Sequence, residues 1–428
     1  MRPILQVALD FIDLPRALKL AGEALEGGAD WIEAGTPLIK STGLDAVREL
    51  RKKFPQVTLV ADMKTMDVGR TEVESAAKAG ADVVVVLALA SDSTIRECVE
   101  AGRHYGAKIM VDLLEVDDLL ERAKEVEKIG ADYIGLHTSV DEQMEGKVSF
   151  QGVRTIAGKI GIPIAVAGGV NSENAHEAVE AGANIIIVGG AIIKSVDAKK
   201  ATAEIKKAIE KKVEIKSELF RRVSEKDIRE MLSKVSSPNI SDAMHRQGEL
   251  KGIRPVCSGV KMIGPAFTVR TYPGDWAKTV EAIDEAPQGS VIVVDAGGVG
   301  PAVWGELATH SCIQKKIAGV VIDGAIRDVP EIRKLKFPAF ARIITPTAGE
   351  PKGFGEMGVP VGVGGVRVFP GDWVFGDDDG VVVIPKKRAV EITNRAMDVL
   401  ERENRIRKEI KEGGTLGKIT ELLKWEKK

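Results

Sequence analysis

The chain has 428 residues, 44% of them hydrophobic and 29% charged, with a formal net charge of -2. That length exceeds one ordinary core and favours two domains, while the near-neutral balance removes the long-range pull toward nucleic acid or membrane, so neither partner is expected. Cys98, Cys257 and Cys312 are odd in number, far apart and without a CxxC pair, which excludes a disulfide framework or zinc knuckle and fits a reducing cytoplasm. An apolar strand pattern begins at Ile4 without a signal-peptide layout, and no apolar run reaches membrane-spanning length; a cytoplasmic location is the expectation.

From the N-terminus a phrase recurs: Gly28-Ala-Asp30, Gly80-Ala-Asp82, Gly130-Ala-Asp132 and Gly182-Ala-Asn184, at spacings of 52, 50 and 52 residues. A glycine suits the left-handed position that ends a helix, and each phrase leads into an apolar run of the kind that forms a buried strand. With a further strand between successive phrases, eight are predicted: 4–10, 31–35, 58–64, 83–90, 108–114, 133–138, 163–169 and 185–190. Helical patterns separate them, among them 15–25, 68–78, 116–129 and 172–181. Eight strands alternating with helices over about 200 residues predict a (β/α)8 TIM barrel. An open doubly wound sheet would not need a four-fold repeat.

In such a barrel the C-terminal strand ends and the following loops build the active site. Asp10 ends the first strand, Glu33 lies in the second, Asp62 and Lys64 end the third with Asp67 just beyond, Asp112 lies in the fifth and His137 ends the sixth. Asp62 and Lys64, two apart on a strand, are expected on one face. Strands seven and eight end in Gly168-Gly169 and Gly189-Gly190, where bare backbone N–H groups could approach a phosphate. Taken singly, each feature has an ordinary explanation: a strand-end Asp is often a helix cap, and a Gly-Gly is usually a tight turn. Their joint placement at one rim favours a site for a sugar phosphate.

The Asp62-x-Lys64-x-x-Asp67 motif, with the stretches 5–10, 32–37 and 61–67, resembles the 3-hexulose-6-phosphate synthases of the orotidine 5'-monophosphate decarboxylase superfamily over about residues 1–210. The resemblance implies an aldehyde-lyase of the ribulose monophosphate pathway, interconverting D-arabino-hex-3-ulose 6-phosphate with D-ribulose 5-phosphate and formaldehyde. It also implies Mg2+, or another divalent cation such as Mn2+, on Glu33 and Asp62, with Lys64 stabilising an enediolate, His137 as the acid–base group, and Asp10 in the catalytic set. Asp67 would orient Lys64 or substrate hydroxyls, or reach across a dimer interface, and Gly168, Gly169, Gly189 and Gly190 would hold the phosphate. Glu33 argues against orotidylate decarboxylase itself, which tends to carry a lysine on strand two. The alternative is a 3-keto-L-gulonate 6-phosphate decarboxylase-like barrel, although those enzymes usually carry Arg where this chain has Gly190.

After Ile205 a charged helical stretch lacks the barrel repeat, so the first domain is placed at 1–210, a helical linker at 211–220 and the second domain at 221–428. Short Val/Ile runs at 266–270, 290–295, 319–322 and 381–384, followed by a charged helix at about 389–412, predict an α+β domain with a β-rich core. Glu306, twenty intervening residues, then Arg327-Asp328 resembles the Asp-x20-Arg-Asp pattern of 4-hydroxy-4-methyl-2-oxoglutarate aldolases and the ribonuclease activity regulator A family, as does the stretch 371–385. That resemblance covers about residues 220–410 and implies a swivelling β/β/α fold. It further implies Arg327 gripping a substrate carboxylate, Asp328 in a metal site, and a facing loop of Gly297, Gly298, Gly305, Glu306 and Leu307. Two readings stay open, a metal-dependent 2-oxo acid aldolase or decarboxylase and a non-catalytic ribonuclease-binding or assembly module. Both resemblances imply a homo-oligomer.

Overall fold

The computed structural model describes residues 2–145, 150–217 and 225–420, so the expected linker at 211–220 lies partly outside the described residues, as does the expected boundary at 221. The chain divides into two compact units, one of Met1–Gln143, Lys147–Arg221 and Glu401–Lys428, the other of Met144–Gly146 and Arg222–Leu400. The second domain was expected to run to 428, yet from Glu401 onward the chain groups with the first unit. The reason is local: Arg405 is buried there, bonded to the carbonyls of Ser195 and Val196. Among the described residues no helix is long and apolar enough to cross a membrane.

The first unit is a closed barrel of β1 (Ile4–Leu9), β2 (Trp31–Ala34), β3 (Thr58–Thr65), β4 (Val83–Leu87), β5 (Lys108–Asp112), β6 (Tyr133–His137), β7 (Ile164–Ala167) and β8 (Ile185–Val188). Every neighbouring pair is parallel, and β8 returns to β1. All eight expected strands are present, each trimmed or extended at its ends. Two helices, Thr36–Thr42 and Asp45–Lys53, lie between β2 and β3.

Alternation along the strands sorts the residues. Leu5, Val7 and Leu9, Val84 and Val86, and Ile109 and Val111 join the layer packed against the surrounding helices. Residues of the opposite parity, Val60, Val83, Val85, Met110, Ala165 and Ile185, fill the barrel interior. A larger member such as Met110 or Ile185 contributes about 1.5–3 kcal/mol relative to exposure. Trp31 and Tyr133 meet edge to face at 5.7 Å in the same interior cluster. Gln6, Glu33, Asp62, Asp112 and His137 share that inward parity, so the fold itself points them into the barrel.

The four-fold phrase has a structural cause. Gly28, Gly80, Gly130 and Gly182 have φ of 98°, 110°, 111° and 111°, left-handed values that suit glycine. The residue two places on then clamps the start of the preceding strand. Asp30, Asp82 and Asp132 accept through Oδ2 from the N–H groups of Leu5, Leu59 and Ile109 at 2.7, 2.7 and 2.9 Å, and Asn184 accepts through Oδ1 from Ile164 N–H at 3.0 Å. Each clamp is reciprocal, because the N–H of the same Asp or Asn donates back to the carbonyl of the same strand residue.

In the second unit a mixed sheet has a parallel centre, with Met262–Arg270, Val291–Asp295, Gly319–Ile326 and Ala339–Ile344 side by side. Trp373–Asp377 adds antiparallel to Met262–Arg270, and Gly380–Ile384 adds antiparallel to Trp373–Asp377. The four predicted runs all fall in this sheet. One apolar layer includes Ile292, Val294, Val320, Ile322 and Trp304, and the other includes Val291, Val293, Val321 and Phe340.

Candidate active site

At the barrel mouth Lys64 Nζ lies 3.1 Å from Asp112 Oδ2 and 3.3 Å from Asp62 Oδ2. The ideal pleat expected for Asp62 and Lys64 is broken: pairing of β3 with β4 jumps from Ala61–Val84 to Thr65–Val86, and Lys64 takes a left-handed φ of 46°. A bulge of this kind re-aims a side chain at the end of a strand, and a non-glycine residue in that region costs about 1–3 kcal/mol, a strain typical of functional sites. Asp62 and Lys64 therefore meet through the bulge. Burial alone would lower the Lys64 pKa, but the carboxylates of Asp62 and Asp112 outweigh it and hold the ammonium above its usual range.

Asp112 is buried and serves as the hub. His137 Nδ1 approaches its Oδ2 at 3.7 Å, and its Oδ1 accepts from the Leu114 N–H at 3.1 Å. Burial would push its carboxyl up, yet the hydrogen bond with His137 and the charge of Lys64 bring it below the ordinary value. Thr36 Oγ1 donates to Asp62 Oδ2 at 2.7 Å, while Asp62 Oδ1 is buried without a hydrogen-bond partner. Glu33 accepts from Gln6 Nε2 at 2.5 Å; burial raises its pKa well above normal, and the charges of Asp62 and Asp10 raise it further. Asp10 is open to solvent at the rim, but its carboxylate rests against Gly35 and Gly189, and a Cβ at either glycine would press on it. Burial and the charge of Asp62 raise its pKa.

Residues 3–205 match the family described as Orotidine 5'-phosphate decarboxylase / HUMPS family. The 3-hexulose-6-phosphate synthase of Bacillus subtilis (strain 168) is 39% identical over 206 residues, 48% of this chain and 98% of that protein. The synthase of Methylomonas aminofaciens is 41% identical over 201 residues, 47% of this chain and 96% of that protein. The chain belongs to the orotidine 5'-phosphate decarboxylase / HUMPS family. Its barrel is that of a lyase.

This HUMPS-family barrel brings Asp10, Glu33, Asp62, Lys64 and His137 together as the sequence led one to expect. Asp67 does not pair with Lys64 within the chain. It is exposed, its Oδ1 accepts from the Val68 N–H at 2.7 Å, and the carboxylates that hold Lys64 are those of Asp62 and Asp112. The glycine pairs lie at the strand ends: Gly168 and Gly169 have φ of 100° and 71°, Gly189 faces Asp10, and a Cβ on Gly190 would lie 3.2 Å from Lys194 Nζ. Sequence reasoning missed Gln6, Thr36 and Lys194, and placed Asp112 on its strand without giving it a role. Gln6 was detectable as a polar residue at an inward position of an otherwise apolar strand; Thr36 opens one helix, Lys194 follows another, and neither left a signal.

In the second unit Gly305, Glu306, Arg327 and Asp328 converge. Asp328 Oδ2 accepts from the Glu306 N–H at 3.2 Å and lies 3.5 Å from Arg327 Nε; a Cβ at Gly305 would stand 2.5 Å from the same oxygen. Glu306 Oε1 also faces His310 Nε2 at 3.4 Å, and Leu307 is 78% exposed. Gly297 and Gly298 form the turn after strand Val291–Asp295, where the Gly298 N–H donates to the Asp323 carbonyl at 3.0 Å. Residues 237–383 match the family described as RraA-like: Aldolase/RraA, so the second unit carries an RraA-like domain. The structure of the RNA-processing inhibitor RraA from Thermus thermophilis aligns with 30% identity and a TM-score of 0.33, covering 35% of this chain and 93% of that one.

Proposed function

We propose that the barrel interconverts D-arabino-hex-3-ulose 6-phosphate with D-ribulose 5-phosphate and formaldehyde. The observation that carries this reading is the Lys64 ammonium fixed between Asp62 and Asp112, with His137 beyond Asp112. In the synthetic direction a proton leaves the carbon next to the ketose carbonyl, the resulting enediolate attacks formaldehyde, and the new alkoxide takes up a proton. Lys64 stabilises the enediolate charge. His137 moves the protons, with Asp10 at the same rim as the second carrier. Gly168, Gly169, Gly189 and Gly190 seat the phosphate, and Lys194 supplies positive charge beside it. The reverse reaction uses the same groups.

The donors suit a divalent cation. Asp62 Oδ1 is buried and unpartnered, and Glu33 carries the burden of two neighbouring negative charges. Glu33 and Asp62 would hold Mg2+ or Mn2+, which would supply charge to a developing oxyanion. Among the described residues no three His, Cys, Asp or Glu side chains form a metal-binding group, so substrate and water oxygens would complete the shell. Asp67, flanked by the exposed Met66 and Val68, would face a second copy of the chain in a cytoplasmic homo-oligomer.

One observation favours the decarboxylase alternative: Lys194 Nζ sets a positive charge over Gly190, where those enzymes usually carry Arg. The test supplies Mg2+ with ribulose 5-phosphate and formaldehyde in one arm and 3-keto-L-gulonate 6-phosphate in the other. A hexulose phosphate in the first arm supports the synthase; carbon dioxide release in the second arm alone would replace it with the decarboxylase.

For the RraA-like domain we propose metal-dependent aldol cleavage or decarboxylation of a 2-oxo acid. Arg327 would grip the carboxylate, Asp328 would take part in the metal site, and Gly305, Glu306 and Leu307 would face the substrate. The cluster around Gly305 and Asp328 supports it. Oxaloacetate decarboxylation is the assay. Activity absent with every divalent metal, together with capture of ribonuclease in a pull-down, would give the binding-module reading its place.

A further inference from the structure

Gly189-Gly190 closes β8 and opens the short helix Gly190–Ile193, and the chain then turns through Lys194, Ser195 and Val196. The Ser195 N–H donates to the Ile192 carbonyl at 3.2 Å and the Lys194 N–H to the Gly190 carbonyl at 3.1 Å, so the turn and the glycine pair are one hydrogen-bonded piece. Its outward carbonyls are held by Arg405, whose Nη1 donates to Ser195 O at 3.1 Å and to Val196 O at 3.3 Å; Lys408 Nζ also donates to Val196 O. The Arg405 side chain is only 5% exposed. Its remaining N–H groups are used on Glu409 Oε1 at 3.0 Å and on the Glu23 carboxylate at 3.4 and 3.5 Å. A buried guanidinium is costly unless each donor is satisfied, and here two of its bonds fix a turn beside the glycine pair.

The loop after β7 is held in a comparable way. The Ile215 N–H donates to the Ser172 carbonyl at 2.9 Å, and the Ser217 N–H to Glu173 Oε1 at 3.0 Å. The family match ends at residue 205, and 206 residues of this chain already account for 98% of the Bacillus subtilis relative. Both glycine-pair loops are thus braced by chain that lies beyond the family barrel.

We propose that Arg405 is a positioning residue for the sugar-phosphate site, holding the Ser195–Val196 turn and through it the Gly189-Gly190 backbone. This rests on the reading of that backbone as the phosphate seat. Displacement of a binding loop by about 1 Å is enough to change binding or rate by orders of magnitude, and loss of uniform binding raises KM while kcat stays.

The experiment compares the full-length wild type with Arg405→Ala and Arg405→Lys. In Arg405→Ala the KM for ribulose 5-phosphate should rise about ten-fold, with kcat and the KM for formaldehyde nearly unchanged, and inorganic phosphate should bind more weakly by calorimetry to the same degree. Arg405→Lys, which keeps the charge but loses the fork, should fall between. A folded Arg405→Ala protein with wild-type phosphate affinity and KM overturns the proposal, as does an equal loss in kcat and in both KM values. If Arg405→Ala does not fold, Lys408→Ala removes a more exposed brace on the same carbonyl; a KM for ribulose 5-phosphate raised about three-fold supports the proposal, and an unchanged one overturns it. Wild type that binds phosphate without condensing the two substrates would sink the synthase reading alone, since the calorimetric comparison needs no chemistry.

Discussion

Lys64 Nζ stands 3.1 Å from Asp112 Oδ2, although the two residues come from strands separated by β4 in the barrel. The carboxylate keeps the ammonium charged and aimed, and His137 Nδ1 approaches the same oxygen from the other side at 3.7 Å. Asp112→Asn keeps the shape and removes the charge. It should lower kcat by about 100-fold with a much smaller change in KM. Steady-state kinetics decides the matter: a variant within a few-fold of wild type would show that Lys64 and His137 work without the hub.

Much of this was visible before any coordinates. The four Gly-Ala-Asp/Asn phrases announced the barrel because each packs a left-handed helix end and a strand clamp into three residues, and that economy leaves a regular mark in sequence. Asp62, Lys64, Glu33 and His137 were legible because charges at the ends of apolar strands have few packing explanations. Motif spacing says nothing about a bulge, and the bulge at 62–64 turns Lys64 toward Asp112, which leaves Asp67 outside the contacts that hold the ammonium. Arg405 could not have been found: it sits in a charged helix far along the chain, and its burial depends on tertiary contacts that leave no local pattern. Similarly, the second sheet was read as a β-rich core, but its parallel centre depends on pairings between distant segments.

The clamps predict a stability effect at a place remote from the chemistry. Asp82 accepts from the Leu59 N–H and also pairs with Arg51. Asp82→Ala leaves that strand-opening donor without its partner, so it should cost about 1–3 kcal/mol in denaturant unfolding. Asp82→Asn should cost less, because Asn184 performs the same task for Ile164 N–H. If Asn and Ala variants are equally destabilised, the ion pair with Arg51 and not the clamp is what matters.

Removal of divalent metal is a direct test of the carboxylate pair. Dialysis against a chelator should abolish turnover, and Mg2+ or Mn2+ should restore it. Glu33→Gln, which keeps the bond geometry with Gln6 within reach, should raise the half-saturating metal concentration by about ten-fold or more. Mn2+ binding followed by electron paramagnetic resonance gives a readout free of catalysis. Full activity after exhaustive chelation would remove the cation from the scheme.

Glu391 offers a pH test that does not involve the active site. Its carboxylate takes the Arg388 guanidinium on both oxygens at 2.9 Å and Arg395 Nε at 2.9 Å. The hydrogen bond from Arg388, together with Arg395, outweighs partial burial and lowers its pKa from 4.5 to about 2. Because the folded value is the lower one, the stabilisation is fully present above about 4.5 and drains away as pH falls toward about 2. Glu391→Gln should therefore melt below wild type near neutral pH, with the gap narrowing across that acid window and screened in part by salt. A gap that stays constant down to the acid limit would mean that Glu391 acts through packing, because only the ionised carboxylate carries the linkage.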